Sequence, residues 1–254
     1  MRSSNDCRVS RRGHRLRSVR GRRAIAALVG LAALAVGAAG AAPAEPANSS
    51  AVANADVAPP TLAALLAGFR TLPGFEARFE EQKTLALLAA PLRSRGRLYF
   101  APPATLLRRV DAPNPHDILI REHVVRIATP SSKDSPRDVQ TIDLAKRDDV
   151  RPLVESMLWI FSGDLAQLEA IYRIDYQVLA PPSSGRWQLG LTPRQAPLSS
   201  LIRSLSIAGR GHAAESLEVI EAGGDHTTTR FLEANTERRF APGEIEALFG
   251  ITAP

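Results

Sequence analysis

Proline and glycine cut residues 75–233 into short segments whose apolar and polar residues alternate with a period of two, and this pattern constrains the fold more than any other feature. Residues two apart on a strand share a face, so each segment carries one apolar face that must be covered. Phe75-Glu76-Ala77-Arg78-Phe79-Glu80 puts the phenylalanines and Ala77 on one face and the charges on the other. Residues 92–101 continue the alternation up to Pro102-Pro103, and residues 105–111 form a third short strand before Pro113 and Pro115. Residues 117–127 read as a hairpin. With Glu122-His123 as its loop, Ile120 pairs with Val125 and Ile118 with Ile127 on one face, leaving Arg121 and Arg126 on the other. Beyond a polar loop at 131–137, strands are expected at 139–144, 171–179, 187–191, 204–209, 216–221 and 227–233. The class is therefore mainly β. Eleven such strands imply one large antiparallel sheet that must curl to bury its apolar face.

Helical patterns interrupt the strands. Thr61 can cap a helix bearing Leu62, Leu65, Leu66 and Phe69 that stops at Pro73-Gly74. Asp149 is placed to cap a second, with Pro152 in its first turn and Gly163 at its end. In that second helix Val150, Leu153, Val154, Met157, Leu158, Trp159, Ile160 and Phe161 leave almost no polar face. Such a helix must be covered on more than one side, by the sheet, a partner or a lipid. Val150, Leu153, Met157 and Phe161 are expected to share its inward stripe, with Glu155 on another side. A short amphipathic helix is expected at 197–203, and residues 244–249 also look helical.

Charge is unevenly placed. Nine arginines against the single acid Asp6 in residues 1–44 exceed the whole chain's net charge of +6, so the rest of the chain is slightly acidic. The basic character belongs to the leader, and no nucleic-acid partner is expected. The leader itself runs from an arginine-rich stretch through an apolar run at 24–39 to Ala42-Pro43-Ala44, the layout of a secretory signal cleaved near Ala44. As a helix, that run would rise only about 24 Å, too short to span a bilayer. Residues 45–60, rich in Ala, Pro, Asn and Ser, read as a flexible spacer. Cys7 is the only cysteine and lies inside the leader, so disulfides, thiol catalysis and cysteine-bound metals are not expected after cleavage; neither is lipidation. The expected location is the periplasm.

The search for chemistry yields little. His116, His123, His212 and His226 are scattered over loops and turns without the i, i+4 spacing of a zinc helix. The chain contains no Gly-x-Ser-x-Gly elbow and no phosphate-binding glycine loop. Glu80-Glu81 reads as a solvated strand edge and Asp148-Asp149 as a helix N-terminus. No catalytic residue, metal ligand or cofactor is assigned.

The order of elements resembles a known family. The helix, then Phe75-Glu-Ala77-Arg-Phe79-Glu-Glu-Gln82-Lys83, then Ser94-Arg-Gly96-Arg-Leu98-Tyr-Phe100-Ala-Pro102, and the hairpin ending in Ile127 are similar to the LolA-type outer-membrane lipoprotein carriers over about residues 61–235. The resemblance implies an unclosed antiparallel barrel of about eleven strands, plugged by an α-helical lid, making residues 61–254 a lipid-carrier domain. It further implies a monomer whose apolar cavity holds the acyl chains of lipoproteins, or of another acylated molecule, between an inner-membrane release transporter and an outer-membrane acceptor. The residues assigned to that cavity are Phe79, Leu98, Phe100, Leu106, Ile118, Ile120, Val125, Ile127, Leu153, Met157 and Phe161. Where typical carriers have an arginine before the proline to tether the lid, this chain has Ala101, with Arg108 and Arg109 nearby but outside the motif. The rival readings are a periplasmic hydrolase of acylated substrates using the same cavity, and a structural envelope protein with a filled core.

Overall fold

The structure is a computed structural model that describes residues 61–130 and 138–250; the leader, the spacer and the polar loop at 131–137 lie outside the described residues. Its centre is one antiparallel sheet of eleven strands: β1 (Phe75–Thr84), β2 (Leu92–Ala101), β3 (Thr105–Ala112), β4 (His116–Arg121), β5 (Val124–Ala128), β6 (Val139–Asp143), β7 (Tyr172–Val178), β8 (Arg186–Pro193), β9 (Ile202–Arg210), β10 (Ala213–Glu221) and β11 (His226–Asn235). Their spatial order is β6-β5-β4-β3-β2-β1-β11-β10-β9-β8-β7. Two meanders thus meet at the β1–β11 pair. Strands β6 and β7 are the free edges, so the barrel is unclosed, and the chain crosses between those edges through two helices, α2 (Arg151–Ser162) and α3 (Leu165–Ile171).

The hairpin register is as expected, with Ile120 opposite Val125 and Ile118 opposite Ile127. Helix α1 (Leu62–Arg70) also matches the expectation, its Thr61 hydroxyl accepting from the Ala64 N–H at 3.2 Å. Helix α2 begins later than its pattern suggested. Val150 is its N-cap, while the Asp149 carboxylate receives both Nε and Nη2 of Arg147 at 2.9 Å and has left the capping position. Helix α3 occupies residues to which the sequence pattern assigns no element, and meets the strand expected at 171–179 only at Ile171; Asp164 accepts from the Gln167 N–H and closes its first turn. The insert expected at 197–203 contracts to a three-residue 3-10 turn, Leu198–Ser200.

Helix α2 is apolar all round because it lies between the two halves of the sheet. Val150, Val154 and Leu158 are buried with Phe75, Phe100, Ile118, Ile120 and Val125 of the β1–β6 half. Leu153 and Ile160 are buried with α1 and with Trp187, Leu189 and Leu205 of the β7–β11 half. The stripe expected to face one way is therefore divided: Leu153 turns to one half, Phe161 to the other, and Met157 touches both. Gly163 ends the helix at φ +66, with the Leu66 carbonyl of α1 only 2.1 Å from where a side-chain carbon would stand.

A third apolar cluster lies on the opposite face of the sheet, which alternation alone would leave to solvent. Helix α4 (Pro242–Phe249) covers Tyr99, Ala101, Leu107 and Leu119 there, with Phe249 fully buried. Arg238 fastens this segment by bonding Glu76 of β1 at 2.8 Å and Glu244 of α4. Ala101 thus faces α4, away from α2.

Gly96 of the Gly-x-Leu strand stands where β2 shifts register against β3. A Cβ there would lie 1.9 Å from the Arg109 carbonyl oxygen and 3.0 Å from Cε1 of Phe79. Gly96→Ala should therefore destabilise by about 1–3 kcal/mol, read as a lower denaturant midpoint at unchanged m-value. Ile120→Glu, which puts a carboxylate among buried apolar groups, should unfold or severely destabilise the protein, while Arg121→Glu on the exposed face should stay within about 0.5 kcal/mol of the parent.

Candidate functional site

A cleft of about 90 Å³ opens between α2 and the concave face of the sheet. Phe75, Phe79, Leu98 and Leu106 line it from the first half and Met157, Ile160 and Phe161 from α2. Trp187, Leu189, Ile207 and Leu217 line it from the second half. This volume is well below the ~300–1,000 Å³ of pockets that enclose drug-sized ligands, because α2 side chains occupy the space. Phe161 tilts against Phe75, with centroids 5.6 Å apart, and stacks on Phe100 at 5.0 Å. A larger groove of about 600 Å³ runs along the outer face beside Gln82, Arg93, Arg95 and Arg230, but its charged rim does not suit a hydrocarbon.

Of the residues assigned to the cavity from the sequence, the structure brings Phe79, Leu98, Leu106, Met157 and Phe161 together at this cleft. Phe100 supports Phe161 from behind. Ile118, Ile120, Val125 and half-buried Ile127 belong to the same cluster but do not line the cleft, and Leu153 lies in the other half. The sequence assignment does not include Phe69 of α1, Leu72 just beyond that helix, Phe75 of β1, Ile160 of α2, or the residues contributed by β8 to β11. Their strands alternate as cleanly as the first half, but pairing β1 with β11, which brings them to the same concave face, leaves no local signal.

Polar contacts between α2 and the sheet are few. His123 in the β4–β5 turn bonds Glu155 at 3.1 Å, and the fully buried Ser156 hydroxyl meets the Tyr172 phenol at 3.0 Å. Burial pushes the Tyr172 phenol up to about 12. Because its neutral form is the one favoured in the fold, this phenol's contribution to stability should be unchanged below pH 10 and be lost as pH rises from 10 towards 12; ultraviolet titration should show one tyrosine ionising near the upper value.

The concave face also carries an ion pair that the alternation of β1 predicts when followed two residues further. Glu81 continues the series Phe75, Ala77, Phe79, and is buried at 6% exposure instead of forming a solvated edge. Arg108, at 4% exposure, continues Leu106 on β3 and bonds Glu81 Oε1 through Nη2 at 2.9 Å. Ser94 and Thr229 donate to the same carboxylate at 3.1 and 3.0 Å. The guanidinium lies 4.3 Å from the centroid of the Phe79 ring, and burial pushes its pKa down from the ordinary value against the pull of Glu81. Its Nη1 is buried with no hydrogen-bond partner. Arg109, by contrast, faces outward and forks onto Asp117 at 2.9 and 3.0 Å.

Arg108→Met alone strands the buried Glu81 charge and should cost about 3–5 kcal/mol, whereas Arg108→Met with Glu81→Gln should recover most of that loss in the same chemical-denaturation series. Among the described residues no group of three His, Cys, Asp or Glu side chains is placed to hold a metal, and no helix is long and apolar enough to cross a membrane.

An unclosed antiparallel sheet wrapped round a buried apolar helix, with an apolar cleft between them, makes the molecule a half-barrel with an internal helix. The chain belongs to the family described as outer membrane lipoprotein carrier protein LolA-like, which it matches over residues 59–245. Among solved structures it is similar to a LolA superfamily protein from Nitrosomonas europaea, at 11% identity and a TM-score of 0.38 over 75% of this chain and 97% of that one. A putative outer membrane lipoprotein-sorting protein domain from Vibrio parahaemolyticus shares 11% identity at a TM-score of 0.39, over 72% and 95% of the two chains. The MucA/MucB complex of Pseudomonas aeruginosa contains a chain with 13% identity and a TM-score of 0.38, over 71% and 57%. No curated protein matches the chain.

Proposed function

We propose that this protein is a non-catalytic periplasmic carrier that takes the acyl chains of a lipoprotein, or of another acylated molecule, between the sheet and α2. The observation that carries the reading is α2 itself: its Met157, Ile160 and Phe161 fill an apolar cleft that has no room for a chain until they leave it. The helix thus stands in for cargo. Each buried methylene contributes roughly 0.8 kcal/mol, so a sixteen-carbon chain supplies on the order of 10 kcal/mol gross, from which the cost of displacing the helix's own apolar contacts is subtracted. That cancellation suits a carrier, since cargo held at the full figure would not pass to an acceptor.

In this reading residues 1–44 direct export and are removed, 45–60 form a spacer, and 61–254 are the carrier domain. It works as a monomer between a release transporter in the inner membrane and an acceptor in the outer membrane. The polar bonds from α2 to the sheet named above are only two, so closure rests mainly on packing.

A photo-crosslinking side chain placed at Met157 in the exported protein should label acylated cargo, and one at Glu155, beside His123, should label it several-fold less. Native mass spectrometry of the same preparations should find bound lipid or lipoprotein. Equal labelling at both positions, or none at either together with an empty protein, would overturn the carrier reading; release of a hydrolysed acyl product would replace it with the hydrolase.

A further inference from the structure

The apolar cleft has a polar part of its lining, Glu81, Arg108, Thr229 and His212, that a pure hydrocarbon cannot use. Arg108 lines it, and the Nη1 group of this nearly fully buried guanidinium has no hydrogen-bond partner. A buried donor left unsatisfied is costly, and a charged one more so, so such a group in a ligand cleft marks a place where a ligand acceptor completes the bonding. Its surroundings narrow the chemistry of that acceptor. Nη2 is already taken by Glu81, whose two oxygens also receive Ser94 and Thr229, so the carboxylate holds one nitrogen of the fork and the second makes no bond to it. The pair is formally neutral. An anionic ligand group placed there would bring an uncompensated negative charge next to Glu81 in a dry site, whereas a neutral oxygen acceptor leaves the balance at zero.

The geometry points to a polar subsite at Arg108 that receives the carbonyl oxygen joining an acyl chain to its headgroup, as an ester or an amide, while the chain itself lies along Phe79, Leu98 and Leu106. This rests on the carrier reading and deepens it. The cleft would then fix the depth of the chain, recognising acylated molecules above alkanes or ionised fatty acids of equal length. Gly96 contributes by leaving space beside Phe79, on whose ring the guanidinium lies.

The test is displacement of the neutral apolar dye N-phenyl-1-naphthylamine by four ligands with twelve-carbon chains: dodecane, methyl dodecanoate, N-methyldodecanamide and dodecanoate. It compares the wild-type protein with the double variant Arg108→Met/Glu81→Gln. Comparing the two proteins cancels the hydration of each ligand. The ratio of ester or amide affinity to dodecane affinity should fall roughly tenfold in the variant. A larger fall for the amide than for the ester assigns the natural carbonyl to an N-acyl group, and the reverse to an O-acyl group. An unchanged ratio overturns the subsite and leaves the carrier reading standing. A carboxylate preference in the wild type overturns the neutral-acceptor assignment, and failure of all four ligands to displace the dye overturns the carrier reading with it.

Infrared spectroscopy of carbonyl-labelled methyl dodecanoate bound to the wild type serves if the double variant does not fold. The carbonyl stretch should move to lower frequency than in hydrocarbon solvent, and a band at the solvent position overturns the proposal.

Discussion

Everything in this fold follows from one exclusion of water: a curved sheet whose concave side carries phenylalanine, leucine and isoleucine cannot face solvent, and α2 is the element that keeps solvent out. The helix is apolar on nearly every side because it has two walls to satisfy. Val150, Val154 and Leu158 meet one half of the sheet and Leu153 and Ile160 the other. Helix α1 and the Gly163 turn hold it at that depth, the latter by letting backbone approach backbone. Non-directional apolar contact is reversible in a way that a network of hydrogen bonds is not, and it can be exchanged for contact with any hydrocarbon of suitable length.

Against that background the Glu81–Arg108 pair is an exception that organises its neighbours. Taking both charges out of water is unfavourable, and the arrangement meets this with three donors on the carboxylate and an aromatic face beneath the guanidinium. The result is a polar patch in a largely apolar hollow, with His212 also on its lining and a second, largely buried pair, Lys83–Glu221, further along the same face of β1. The outer face is treated differently: there Arg238 links β1 to α4, and Phe240 and Phe249 shield Tyr99 and Leu107 without any comparable burial of charge.

Much of this is legible in the sequence. Strand count, sheet curvature and the β4–β5 register follow from period-two alternation, since a single slip would move Ile118, Ile120, Val125 and Ile127 out of the core to the opposite face. Local competition obscured the rest. Asp149 has the chemistry of a cap but is claimed by Arg147 two residues earlier, and α3 is hidden because seven residues give a helix too few turns to display its period. The charge of Glu81 points to solvent, while its parity on β1 places it inside. The second half of the cleft was invisible for another reason, as it depends on a pairing between the first and last strands.

That pairing sets how the chain can reach its final form. Strand β1 is made first yet sits in the middle of the sheet, and its neighbour β11 is made last; the bond from Thr229 to Glu81 spans 148 residues. Until β11 is in place, one side of β1 presents bare amide and carbonyl groups along a strand bearing two phenylalanines, with a carboxylate awaiting its last donor. A chain in that condition is a template for a second copy, so the interval between completing β1 and completing β11 is when self-association competes with folding.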